Sequence, residues 1–443
     1  MNRLLNRILA IAFALMVPFV SMADTKEFRV DGIKVIHRQT PKDVISVRLF
    51  VEGGTGNYSK AQEGVESVAL QLVINGGTTE LDKVAFASAS ERIGTTFGSN
   101  TTYDYGNVSM TCVKAFWNES WDLFSAALMN PGMPESEFDI IKQQSIANAK
   151  NNSSDPDSHL RNIAMVNAFG QSNYGKIADG SPESLEGLTL SQVKAHWSKV
   201  FGKKNVFLVV VGNVDEKDLK AKISKAFGTM PAGSLPKYEN RILITEDGHY
   251  VENRDIATNY IRGLMSAPRM GHPDGVPMMV AMSILGDRYF EELRTKRSLS
   301  YAPAAFYSRG VLNNPYNAIY ISTLDPKQSM EVMVAEINKI KDVGFEDKEL
   351  ADKKQGYLTQ HYMGLETTSA QSNSLGMAEM AGGWELAEEF TDKVNKLTTA
   401  DINRVFDAYT KAIKWTYLGK QDMVDADDFK KPKERPAGKN KPY

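Results

Sequence analysis

Apolar and polar positions follow an order that occurs twice along the chain. Ile45 to Gly54 (ISVRLFVEGG) reads as a strand running into glycines. Glu63-Gly64-Val65 follows, and then an apolar helix that ends at Gly76-Gly77. Far downstream, Tyr260 to Ser266 (YIRGLMS) is again strand-like. Asp274-Gly275-Val276 follows it, and a second apolar helix runs to Gly286. The closing segments correspond too. His196 to Phe201 (HWSKVF) leads into Val206 to Gly212 (VFLVVVG), and Asn403 to Phe406 (NRVF) leads into Ile413 to Gly419 (IKWTYLG). Agreement at both ends of each half predicts an internal duplication.

Within the first half the period changes repeatedly. Ala85 to Ile93 predicts a helix. Thr95 to Lys114 alternates through Tyr103, Tyr105, Val108, Met110 and Cys112, as a hairpin does. Trp117 to Leu128 and Ser136 to Lys150 predict helices, the latter capped by Ser136 after Pro134. Strands and helices are mixed rather than strictly alternating. The expected class is therefore α+β: two homologous domains, each a mainly antiparallel sheet with helices on one face. Met230 to Tyr238 (MPAGSLPKY) is a Pro/Gly linker signal. The expected division is a domain over 24–229, a linker over 230–240, a domain over 241–425 and a disordered basic tail over 426–443.

Composition narrows the chemistry. The chain has 443 residues, 42% hydrophobic and 24% charged, with net charge −2, so nothing favours nucleic acid or an anionic membrane. Cys112 is the single cysteine, which excludes an internal disulfide and a Cys-based zinc knuckle. His37, His159, His196, His249, His272 and His361 include no helix-spaced pair. At the start, Arg3 and Arg7 precede an apolar run from Ile8 to Val20, and Ser21-Met22-Ala23 supplies small residues for a signal peptidase. Residues 1–23 are expected to be a cleaved secretory signal. The location would then be periplasmic, with no membrane attachment after cleavage.

The glycine-flanked first helix, a later helix closing near Asp155-Pro156, and the segment Leu285 to Phe306 (LGDRYFEELRTKRSLSYAPAAF) resemble the pitrilysin and mitochondrial-processing-peptidase metallopeptidases, peptidase family M16 with its LuxS/MPP-like fold. That family carries an inverted H-x-x-E-H motif on its first helix. Histidines four apart share a helix face and grip one zinc ion. The Glu beside them activates the bound water, and a Glu on a later helix completes the ligand set. Placed on that pattern, the histidine positions are Ser67 and Gln71, the catalytic Glu position is Leu70, and the later ligand position is Asn148. The resemblance thus implies an inactive half-size member that holds no metal itself. Glu63 and Glu66 are expected only to cap and solvate the first turn of the helix.

The same resemblance assigns two residues of the second half to catalysis in trans. Arg294 and Tyr301 stand where the family places an Arg and a Tyr that polarise the scissile carbonyl. Ser298 replaces the family's usual Gly in that loop. Phe97, Gly98, Ser99 and Asn100, continuing through Thr101 and Thr102, match an edge strand that takes an extended peptide as an added strand. Half-size members work in pairs. The first expectation is a non-catalytic subunit that closes the peptide chamber of a zinc-bearing homologue, the zinc residing in that partner. A homodimeric peptide-binding or assembly protein without peptidase activity is the alternative. An unrelated nucleophile is the third reading, with Cys112 as its candidate.

Overall fold

The structure, a computed structural model, describes residues 25–433, so the expected signal segment lies outside the described residues. The first half runs β1 (Thr25–Val30), β2 (Ile33–Gln39), β3 (Val44–Glu52), α1 (Val65–Asn75), α2 (Lys83–Arg92), β4 (Thr96–Thr101) and β5 (Tyr105–Val113). It continues through α3 (Trp117–Met129), α4 (Glu135–Ser154), α5 (Pro156–Phe169), α6 (Pro182–Glu186), α7 (Leu190–Val200), β6 (Val206–Gly212) and α8 (Glu216–Phe227). The second half has β7 (Gly248–Asn253), β8 (Asn259–Ser266), α9 (Gly275–Tyr289), β9 (Ala304–Tyr307) and β10 (Tyr316–Thr323). It ends with α10 (Pro326–Val343), α11 (Asp347–Gly364), α12 (Thr368–Ala381), α13 (Glu385–Glu388), α14 (Phe390–Lys396), α15 (Thr399–Tyr409) and β11 (Lys414–Gly419).

The duplication is visible in the sheets. One has the order β1-β2-β6-β3-β5-β4 and the other β7-β11-β8-β10-β9. Setting β2 to β6 against β7 to β11 in sequence makes the two orders coincide, with β1 as an addition to the first. The pairs β2–β6 and β7–β11 are parallel and all others antiparallel. The mixed α+β class follows, and the sheets are mainly antiparallel as expected.

Each sheet carries helices of its own half on one face. Val47, Leu49, Val108, Met110, Leu208 and Val210 point into that core of the first half, against Val68, Leu72, Trp121 and Phe124. The opposite faces are not left to water, because each half lends one helix to the other. Helix α5 packs on β8 and β11, and α12 packs on β3 and β6. Gly376 of α12 approaches so closely that a Cβ there would lie 2.1 Å from the Phe50 ring. Burial on both faces explains why β6 reads as the unbroken apolar run VFLVVVG instead of alternating.

Two expectations about local structure are corrected. Helix α4 starts one residue before Ser136, its N-cap is Pro134, and no side chain caps it. The expected disordered tail is seated as far as Lys433. Phe429 stacks on His249 with ring centroids 4.6 Å apart, and Trp415 Nε1 donates to the Lys430 carbonyl at 2.9 Å. Apolar burial of Phe429 outweighs the lysine- and proline-rich composition around it. Among the described residues, no helix is long and apolar enough to cross a membrane.

Candidate functional site

Helix α1 has two faces of different character. Val65, Val68, Ala69, Leu72 and Val73 are buried in the core. Ser67 and Gln71, one turn apart, open instead onto a cavity of about 850 Å³. Its opposite wall is α4, which contributes Ser145, Asn148 and Asn152 at one-turn spacing. Its side is β4, from Phe97 to Thr101. Strand β4 is the edge of its sheet, so among the described residues its outer backbone groups have no neighbouring strand. The cavity therefore gathers Ser67, Gln71, Asn148, Phe97, Gly98, Ser99 and Asn100 from three separate elements.

Leu70 is not among the lining residues. It is fully buried, and its Cδ1 comes within 2.7 Å of where a Cβ on Gly106 would sit. The position expected from the sequence to carry the water-activating carboxylate is thus part of the core. Gln71 turns its amide back to its own helix, with Nε2 donating to the Ser67 carbonyl and Oγ at 3.2 Å each. The walls are neutral amides and hydroxyls, and only Arg161 and Asp179 among the lining residues carry charge. Thr101 donates its hydroxyl to Asp179 at 3.0 Å. A zinc ion needs anionic or imidazole donors converging at about 2 Å, and Ser67, Gln71 and Asn148 do not fit it. Among the described residues, no group of three His, Cys, Asp or Glu side chains could hold a metal ion.

The Gly64-Val65 turn is fixed by sterics. Gly64 has φ +86°, and a Cβ there would meet Leu185 Cδ2 at 2.7 Å and the Asp179 carbonyl at 2.9 Å. At the far end of α4, Asp155 caps the next helix by accepting from Ser158 N at 2.8 Å, with Pro156 in the first turn. This capping bond holds the Asp155 carboxyl below its usual range.

The reading of Glu63 and Glu66 as solvated capping residues is corrected: both are buried. Glu66 Oε2 lies 3.1 Å from His196 Nε2 and accepts from Asn57 Nδ2 at 3.2 Å. Burial pushes the Glu63 carboxyl up. The partner His196 comes from α7, and no spacing along the chain pointed to it.

Arg294 and Tyr301 lie in the other half and do not line the cavity. The structure brings them to each other. Arg294 belongs to a π-helical turn, Phe290–Thr295, that extends α9. Its Cζ sits 4.3 Å from the Tyr301 ring centroid and 4.6 Å from that of Phe290. Neighbouring Glu292 is taken by Lys296 at 2.7 Å and Arg297 at 2.5 Å. Among the described residues, no ion pair holds Arg294. Tyr301 is 79% exposed. Ser298 has φ +53°, the left-handed geometry that favours glycine.

Cys112 is buried in β5, and burial pushes its thiol up, which disfavours the nucleophilic thiolate.

Comparison with known proteins agrees along the chain. Residues 34–178 match the model described as Insulinase (Peptidase family M16), and residues 187–357 match Peptidase M16 inactive domain. A Helicobacter pylori protein called non-peptidase homolog YmxG is 22% identical over 84% of this chain and 87% of its own length. The mitochondrial-processing peptidase subunit beta of Dictyostelium discoideum is 18% identical over 85% of this chain and 84% of its own length. A crystal structure of a peptidase M16 inactive domain from Pseudomonas fluorescens superposes with TM-score 0.82 at 19% identity, covering 90% of this chain and 98% of that one. The chain therefore belongs to peptidase family M16, as an inactive half-size member.

Proposed function

We propose that this chain is the non-catalytic subunit of a periplasmic zinc peptidase, paired with a zinc-bearing homologue. In that pair the partner supplies zinc, the histidines and the activating Glu. This chain supplies one wall of the peptide chamber and presents Arg294 and Tyr301 to the partner's active centre. The observation that carries the reading is the Arg294–Tyr301 stack, in which Tyr301 is exposed and Arg294 half-buried. Two donors suited to an oxygen gaining charge stand side by side in the second half, away from the cavity of the first. A guanidinium and a phenol so placed serve a carbonyl delivered by another subunit. The relative named as a processing-peptidase subunit supports pairing. The basic, apolar and small-residue order of residues 1–23 supports export.

The cavity beside β4 adds a binding role. An extended peptide entering along Phe97 to Thr101 would find an open strand edge and a neutral amide-rich wall. It would be held there without being cut, because nothing in this cavity activates water.

Reconstitution tests the proposal. The chain is mixed with a zinc-bearing homologue and assayed on unfolded peptides. Activity should exceed that of either protein alone, and Arg294→Ala should lower kcat by about 100-fold while the two subunits still co-elute. A partner fully active by itself, or indifference to Arg294→Ala, would overturn the reading. A complex formed only between copies of this chain would favour the homodimeric alternative.

A further inference from the structure

A second cavity, of about 390 Å³, lies in the other half between α11, α12 and α14. Its floor is apolar, including Met270, Met377, Leu386 and Phe390. Its charged lining is of one sign. Arg309, Lys393 and the imidazole of His361 contribute to the wall, and among the described residues no carboxylate lines it. Lys393 is paired with Glu389 at 2.9 Å. Arg309 rests on the Phe390 ring, its Cζ 5.6 Å from the centroid, and has no ion-pair partner among the described residues. His361 stacks on the same ring with centroids 5.2 Å apart. Burial lowers the His361 pKa, and the charges of Arg309 and Arg38 lower it further, so the local field is positive.

An apolar chamber beside one unpaired guanidinium matches a molecule of the same division: an apolar body with one anionic end. The volume lies near the lower end of the range for small-molecule sites, about 300–1,000 Å³. That suits a single medium-length chain, and a two-chain lipid would not be enclosed. We propose that this cavity binds a medium-chain carboxylate, its tail over Met377, Leu386 and Phe390 and its head at Arg309. The site is separate from the cavity beside β4 and does not depend on the peptidase reading.

The test is calorimetric titration of the purified chain with decanoate below its micellar concentration. Saturation at one equivalent with Kd at or below about 100 µM is expected. Octanoate should bind more weakly by about tenfold, as two fewer methylenes are buried. Decan-1-ol should bind less tightly than decanoate by about tenfold, and Arg309→Ala should erase that preference for the carboxylate. Ala378→Phe, or Ala387→Leu should the first variant fail to fold, should abolish binding of both by filling the chamber. Absence of saturable binding to the wild-type chain overturns the proposal. So does decanoate binding that folded Arg309→Ala and cavity-filling variants leave unchanged. A self-association that the filling variants disrupt would assign the surface to a second copy and overturn it equally.

Discussion

Helices α1 and α9 hold equivalent places in the two halves, each following a strand and a Gly-Val pair. They differ on one face. In α9 nearly every residue from Gly275 to Leu285 is buried, and the helix is sealed with methionines at Met278, Met279 and Met282. In α1 the polar residues Ser67 and Gln71 remain turned toward an open cavity. Beside its core the first half thus keeps a polar chamber open against this helix, whereas the second half seals the equivalent helix and carries half-buried Arg294 and exposed Tyr301 just beyond its end. Among the described residues, the chamber has no group of three His, Cys, Asp or Glu side chains that could hold a metal ion. Its walls stand apart because the core stripe of α1, the edge of the sheet and α4 are each held from behind by apolar packing.

The difference can be broken most severely at Leu70. In Leu70→Glu a carboxylate would enter the core beside Gly106, where Glu66 Oε1 also lies. An unpaired buried charge next to a second carboxylate should cost about 4 kcal/mol or more, read as a fall in the urea midpoint. An unchanged midpoint would mean that residue 70 turns freely into the chamber.

The interlock of the halves is the next target. Gly376→Leu places side-chain atoms inside the Phe50 ring and should lift α12 off β3 and β6, with a loss of about 3 kcal/mol. Phe50→Ala in the same chain should recover part of it, since the two sites share one space. Additive losses would show that the halves are not clasped there.

Much of this fold is legible in the sequence, because the repeat shows at both ends of each half and the cores are apolar at regular spacing. The Leu70 packing was less legible. The period placed Leu70 beside Ser67 and Gln71, yet whether it faces cavity or core depends on the small residue at Gly106. Glu66 was misread for a similar reason: its partners Asn57 and His196 come from distant segments, and a carboxylate near a helix start looks the same solvated or buried. The cavity in the second half had no signal at all. Arg309, His361 and Lys393 meet only through the packing of three elements.

A smaller effect distinguishes the helix starts. Arg404 NH2 donates to Asp274 Oδ1 at 2.6 Å and holds the Asp274 carboxyl below its usual range. A carboxyl with a lowered folded pKa contributes stability above the unfolded value, near 4, and loses it as pH falls through the folded value. Arg404 is 58% exposed, so solvent limits the effect to below about 1 kcal/mol. The midpoint gap between the wild type and Asp274→Asn should be present at pH 6 and narrow steadily as the pH falls below about 4. A gap that widens on acidification would reject this sign.

The smallest change expected is at Ser298. Ser298→Gly relieves left-handed strain but frees the unfolded chain, so a net gain of about 0.5 kcal/mol is expected in thermal unfolding. A loss would show that the Ser298 side chain contributes a contact worth more than the strain.

The neutral side chains of Ser67, Gln71 and Asn148 should leave the chamber of the first half unable to retain zinc. Zinc titration of the purified wild-type chain beside the triple variant Ser67→His, Gln71→His, Asn148→Glu tests it most directly. No zinc should remain on the wild type after dialysis, and one equivalent should remain on the variant. One equivalent in the wild type, lost in Asn148→Ala, would contradict it.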